Sequence, residues 1–223
     1  MLDFAAARRV MVDSQVRTSD VTDARLIAAM LAVPRERFVQ PESADLAYLD
    51  FDVPATPAEA GKPIRRLLKP MVLAKLIQAA EIVEGDHVLD VGCAAGYTSA
   101  LLARLARSVV ALEQDAGLAG LARDNLRALD AHHVEVVGGP LVEGWPPRAP
   151  YDAIILNGAS EVVPKALLRQ LKPGGRLVGV EGRGPAGKAM LYRSIGGVCG
   201  GRPIFDAAAP LLPGFAAPAA FVF

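Results

Sequence analysis

Val88-Leu89-Asp90-Val91-Gly92-Cys93-Ala94-Ala95-Gly96-Tyr97 is the stretch that decides the fold. A short apolar run ends in glycines, so residues 87–91 read as a buried strand and the residues after Gly96 as the start of a helix. In doubly wound α/β proteins, ligands bind beyond the carboxyl ends of such strands, where the chain turns toward its helix. Gly92 and Gly96 let that turn be tight and let a ligand approach the backbone. A dinucleotide fingerprint would need glycines at offsets of roughly 0, 2 and 5. Those positions hold Gly92, Ala94 and Tyr97, so the match fails twice. Asp90, two residues before the first glycine, is expected near the mouth of the site. There it would repel a diphosphate on the helix N-terminus and favour a cationic ligand. At ~4 Å and an effective dielectric of ~20, that attraction is about 4 kcal/mol before desolvation. The plainer role for Asp90 is a capping or turn acid.

The same texture continues outward. Residues 108–113, 133–137, 151–156 and 176–180 read as further apolar strands, and 96–106, 116–129 and 163–171 as helices. Strands apolar throughout, alternating with helices, predict a doubly wound α/β fold with a mainly parallel sheet covered on both faces. Upstream, Ser19-Asp20 is expected to cap a helix carrying Leu26, Ile27, Met30 and Leu31, stopped by Pro34. Residues 41–63 are proline-rich and read as loop, and Pro70 opens a helix with Leu73, Leu76, Ile77 and Ala80 on one side. The chain is expected to be one domain, 1–223: a helical annex over 1–80 and an α/β core over 81–223. Residues 189–193 and the uncharged tail from Ala207 to Phe223 are expected to finish the sheet.

Composition narrows the class. Lys+Arg and Asp+Glu number 24 each among 223 residues, which argues against a nucleic-acid partner held through phosphates. Two cysteines, Cys93 and Cys199, with no Cys-x-x-Cys, suit a reducing compartment. No apolar stretch of signal-peptide length follows Met1 to Arg9, so a cytoplasmic location is expected. Pro210, Pro213, Gly214 and Pro218 interrupt the tail, so no membrane helix is expected there. His132-His133 lacks a third ligand, so no metal is expected. Ser160 has no histidine base nearby in a hydrolase pattern.

Glu113 ends the second strand, where an acid can accept hydrogen bonds from both hydroxyls of an adenosine ribose. S-adenosylmethionine carries such a ribose together with an ammonium and a sulfonium, and so suits the pair Asp90 and Glu113 better than a dinucleotide does. The quoted glycine stretch resembles the first cofactor motif of class I methyltransferases, in particular the protein-L-isoaspartate O-methyltransferase family. Val33-Pro34-Arg35-Glu36-Arg37-Phe38-Val39, Ala47-Tyr48-Leu49-Asp50, Tyr151-Asp152-Ala153-Ile154-Ile155 and Gln170-Leu171-Lys172-Pro173-Gly174-Gly175-Arg176-Leu177-Val178 are similar to further segments of that family. The first of these is its most diagnostic.

The resemblance implies a Rossmann-like class I methyltransferase fold that binds S-adenosylmethionine and methylates a carboxylate in a damaged protein or peptide. Asp90, Gly92, Ala94 and Gly96 would cradle the methionine part, Glu113 the ribose, and Gly139 would stand where the family's adenine-binding acid is missing. Ala94 replaces the family's middle glycine. Anchored on Pro70, the family's Gln-Thr-Ile-Ser-x-Pro loop reads Arg65-Arg66-Leu67-Leu68-Lys69-Pro70, so Leu68 stands at the serine that touches the acceptor. Arg65, Arg66 and Lys69 are the candidate cations for an acceptor carboxylate, or else a solvated loop surface, and Asn157 is a candidate crevice hydrogen-bonder. A methyltransferase of a different small acceptor and a non-catalytic cofactor-binding relative are the alternatives. Product mass separates the first, and binding without turnover the second.

Overall fold

The computed structural model describes residues 2–56 and 64–218. Helix α1 (Phe4–Met11) starts at Asp3, whose carboxylate accepts from the amides of Ala5 and Ala6, both at 3.0 Å. Helical turns continue to Ser19, and α2 (Ala24–Ala32) follows. The expected Ser19-Asp20 cap is not the one used. Asp20 sits in the left-handed region at φ 62° and ends the preceding turn, while Asp23 caps α2 through the amides of Arg25 and Leu26. Both acids are competent caps, and the chain reversal at Asp20 decides between them.

The described part of the 41–63 loop holds a short strand, β1 (Val53–Pro54), paired antiparallel with β2 (Arg66–Leu67). Residues 57–63 of that loop lie outside the described residues. Helix α3 (Pro70–Ala79) begins with its proline, as expected. The core then alternates: β3 (His87–Val91), α4 (Tyr97–Leu102), β4 (Ser108–Glu113), α5 (Ala116–Arg127), β5 (Val134–Gly138), β6 (Tyr151–Ser160), α6 (Lys165–Leu168) and β7 (Leu171–Glu181). A hairpin of β8 (Lys188–Ile195) and β9 (Val198–Asp206) closes the chain's sheet. The seven strands lie in the order β5-β4-β3-β6-β7-β8-β9, parallel through β7 and antiparallel in the last two pairings.

Two expectations at the carboxy end are corrected. The helix expected over 163–171 is one turn, 165–168, because the sheet recruits Leu171 as the partner of Tyr151. The described part of the tail after Ala207 adds no strand. It makes a single bridge from Leu211 to Ala159, and its prolines deny it a ladder. Residues 219–223 lie outside the described residues.

Hydrophobic packing divides along the sheet. Val88, Val109, Ala111, Ala153, Ile155 and Val178 face the amino-terminal annex and α4. Leu89, Val91, Val110, Leu112, Ile154 and Leu177 face the other layer, with Leu167 and Leu168 of α6. One arginine stitches the annex to this frame. Arg176 on β7 donates Nη2 to Asp86 at 2.5 Å and to the Glu81 carbonyl at 2.7 Å, Nη1 to the Asp152 carbonyl at 3.0 Å, and Nε to the Ala80 carbonyl. It thus ties the end of α3 and the turn before β3 to the start of β6.

Replacing Arg176 with Met strands the buried carboxylate of Asp86 and three carbonyls. The expected loss is about 3–5 kcal/mol of unfolding free energy in urea titrations. A loss under ~1 kcal/mol would mean that the turn before β3 holds without this arginine.

Candidate active site

Period-two alternation in the strands builds the site. Asp90 shares the face of Val88, and Glu113 shares the face of Val109 and Ala111. Both carboxylates therefore point to the layer made by α4 and the annex, at the carboxyl ends of adjacent strands. The strand order reverses direction at β3, with β4 on one side and β6 on the other. That is the crevice where doubly wound folds hold ligands.

Asp90 does not stand at the mouth of this crevice, as the sequence reading expected; it is fully buried. Its Oδ2 accepts from Ser99 Oγ at 2.5 Å, and its Oδ1 accepts from the side-chain amide of Asn157. Thr98 Oγ1 donates to Asn157 Oδ1 at 2.8 Å and so orients that amide. A break in the β6–β7 register after Ile155 brings Asn157 to this position. At the next residue only glycine fits, because a Cβ on Gly158 would lie 2.6 Å from Leu212 Cγ and 2.8 Å from the Pro210 carbonyl. Burial pushes the Asp90 carboxyl up to about 7, with Glu113's charge adding to the rise and the bonds from Ser99 and Asn157 opposing it.

Glu113 is also fully buried. Its Oε2 accepts from the Ala94 amide at 2.9 Å, and its Oε1 from the amides of Gln114 at 2.9 Å and Asp115 at 3.2 Å. Arg65 completes the set, with Nη1 2.7 Å from Oε1 and Nη2 donating to the Gly92 carbonyl at 3.0 Å. Arg65 is only 7% exposed, so it is no part of a solvated loop surface.

The glycine stretch curls over these acids with Gly92, Ala94 and Gly96 all at positive φ (77°, 49° and 96°). Cys93 is packed, and burial raises its thiol well above the ordinary range. Arg66, Leu68, Tyr97, Thr98 and Asn157 border a cavity beside the loop of about 10 Å³, room for roughly one water. Leu68 is buried, with its carbonyl accepting from Arg35 Nη2 at 2.8 Å. Arg66 and Lys69 are both anchored on Asp52: Arg66 Nη1 donates to its carbonyl at 3.0 Å, and the Lys69 amide to its carboxylate at 2.8 Å. Gly139 lies against the Trp145 ring, 3.3 Å from where its Cβ would be.

Sequence reasoning missed Ser99, Thr98, Arg35 and Phe38, and it named Arg65 for a different partner. Ser99 and Thr98 are the polar pair in an otherwise apolar Ala-Leu-Leu helix, and that interruption was the available signal. Arg65 was read toward the acceptor, although an arginine can equally neutralise a buried acid. Arg35, fully buried, stacks over the Tyr97 ring at 4.8 Å and donates Nε to the Ala47 carbonyl at 2.7 Å. Phe38 meets the same ring edge-on at 5.4 Å.

A mainly parallel sheet with two buried carboxylates at neighbouring strand ends, beneath a glycine turn, has the architecture of a Rossmann-like methyltransferase. Comparison with known proteins narrows the class. The sequence profile of the family described as protein-L-isoaspartate(D-aspartate) O-methyltransferase matches residues 7–189. The protein-L-isoaspartate O-methyltransferase of Methylorubrum extorquens is 40% identical over 189 residues, 85% of this chain and 79% of that one. Protein-L-isoaspartate O-methyltransferase 2 of Pelobacter propionicus is 39% identical over 171 residues, 77% of this chain and 73% of that one. A solved protein-L-isoaspartate O-methyltransferase superposes with a TM-score of 0.80 at 24% identity, covering 93% of this chain and 66% of that one. A Plasmodium falciparum structure titled a putative member, in complex with S-adenosyl-L-homocysteine, superposes with a TM-score of 0.72 at 17% identity, covering 95% and 99%. The chain belongs to the protein-L-isoaspartate(D-aspartate) O-methyltransferase family.

The raised Asp90 pKa has a signed consequence for stability. The folded protein holds this proton more tightly than the unfolded chain, whose Asp titrates near ~3.9. Its stabilising contribution is therefore full below about pH 4 and is lost as pH rises through about 7. The loss is on the order of 4 kcal/mol. Urea unfolding of the wild type minus that of Asp90→Asn should show this decline between those limits. Parallel pH curves for the two proteins would assign the proton elsewhere.

Proposed function

We propose that this chain transfers a methyl group from S-adenosylmethionine to the carboxylate of an isoaspartyl residue in a damaged protein or peptide. One observation carries the reading: two buried carboxylates, Asp90 and Glu113, meet at one face of the switch point in a chain of this family. The residues present fit the cofactor in kind. A guanidinium is already seated on Glu113, so the pocket accepts positive charge.

Glu113 would receive the ribose hydroxyls, and ionised Asp90 the α-ammonium. The backbone of Gly92, Ala94 and Gly96 would face the methionine part, and Gly139 the adenine side beside Trp145. When bound, S-adenosylmethionine supplies a methyl group activated by its positive sulfur. The acceptor is a carboxylate, ionised at neutral pH, so the chain needs no general base. Its task is to position that carboxylate and exclude water. Arg66, its guanidinium on the Asp52 carbonyl, and Lys69, its backbone amide on the Asp52 carboxylate, would supply positive charge at the acceptor side. Leu68, Tyr97 and Thr98 wall the cavity, and Asn157 joins the acceptor side to Asp90.

Leu68 offers no hydroxyl to the acceptor, which slows the reaction without removing the site. Free thiols at Cys93 and Cys199 suit a reducing cytoplasm, and among the described residues no helix is long and apolar enough to cross a membrane.

Labelled S-adenosylmethionine with an isoaspartyl peptide tests the activity. Methyl incorporation above that into the aspartyl peptide is expected. Bound cofactor with no incorporation would remove repair as the function. Restoring the hydroxyl as Leu68→Ser should raise kcat about tenfold, the worth of one hydrogen bond to a charged group. A variant no faster than wild type would take position 68 out of the acceptor site.

A further inference from the structure

Among the described residues, Glu113 has one side-chain donor. Three of its hydrogen bonds come from backbone amides of the turn and the glycine stretch. The fourth comes from Arg65, 48 residues away. The Arg65 backbone is fixed at the edge of the annex: its amide donates to Thr56 Oγ1 at 3.0 Å, and its carbonyl accepts from the Ala55 amide at 2.8 Å. From there the side chain spans the crevice, one nitrogen on Glu113 and the other on the Gly92 carbonyl. The fit against Gly92 is close, because a Cβ there would lie 2.9 Å from Arg65 Nη2. With Arg65 seated there, Glu113 has no exposed surface.

The guanidinium and the ribose therefore compete for one carboxylate. We propose that Arg65 is an internal occupant of the nucleoside site, and that cofactor binding is an exchange in which Arg65 leaves Glu113 as the ribose hydroxyls arrive. This rests on the methyltransferase reading above and adds a control on it. The closed state is self-consistent: a buried acid, its cation and a carbonyl, with no ligand required. The open state has to break a desolvated ion pair, which resists separation. The apparent affinity falls by the fraction of molecules with Arg65 out. If that fraction is about 1%, binding is weakened about a hundredfold. Arg65 is thus a residue that sets the cofactor concentration at which this chain works, rather than one that holds the acceptor.

S-adenosylhomocysteine tests the exchange, because it binds without reacting. Its affinity is measured by calorimetry for wild type, Arg65→Ala and Arg65→Met, beside the melting temperature of each protein without ligand. Both variants are expected to bind at least tenfold more tightly than wild type and to melt lower unliganded, since Glu113 has lost its cation. Equal or weaker binding by the variants, with wild type binding, overturns the exchange and leaves the methyltransferase reading standing. No binding by any of the three sinks that reading, and the proposal with it. Should neither variant fold, NMR of the arginine side-chain N–H groups in wild type decides. The slowly exchanging Arg65 signals should disappear on saturation with S-adenosylhomocysteine, and their persistence overturns the exchange.

Discussion

Two carboxylates without solvent, side by side on one face of the sheet, set the terms for everything around them. A buried charge left without partners is among the costliest features a fold can carry. The chain treats its two acids differently. Asp90 moderates its charge, holding a proton up to about pH 7 and leaning on Ser99 and Asn157. Glu113 gathers donors instead: three amides and a guanidinium. The first solution needs only the core, namely α4 and the bulged end of β6. The second needs the annex, because Arg65 lies beside β2. The annex is therefore part of the electrostatics of the site as well as its wall.

The annex is locked in register with the core by a second arginine. Arg35 carries its charge into a fully buried position between the Ala47 and Leu68 carbonyls, over the Tyr97 ring. Beside it, Glu36 accepts from Tyr48 Oη and from Arg8, which also donates to Tyr48 Oη at 2.9 Å. Segments 33–39 and 47–50 thus close on each other and on the first residue of α4. Each supplies the buried polar partner that the other lacks.

The parallel core was legible in the sequence because its strands are apolar and bounded by glycine turns, and β3 runs over the expected residues 87–91. Strand parity also carried both acids to one face. What was not legible depended on tertiary competition. The helix expected over 163–171 lost its end to the ladder with Tyr151, and the choice of Asp23 over Asp20 as a cap followed from a chain reversal. At the site, the glycine stretch and the acids could be read locally. Arg65 could not be assigned, since an arginine in a loop looks the same whether it awaits an anion in solvent or has found one 48 residues along the chain.

Two departures from the family pattern, at residues 65 and 94, are physically linked. Ala94 takes the place of a glycine and keeps the left-handed conformation at φ 49°, a cost of about 1–2 kcal/mol for a residue with a Cβ. What holds it there is its amide bond to Glu113 at 2.9 Å. Glu113 in turn is held by Arg65, which stands where the family loop has glutamine. The guanidinium's second contact, on Gly92, closes the circuit at the start of the same turn. Three sequence positions therefore share one energetic account: the arginine fixes the acid, the acid fixes the strained alanine, and the strained turn presents the carbonyl that receives the arginine. A change at any one of them therefore alters what the other two require.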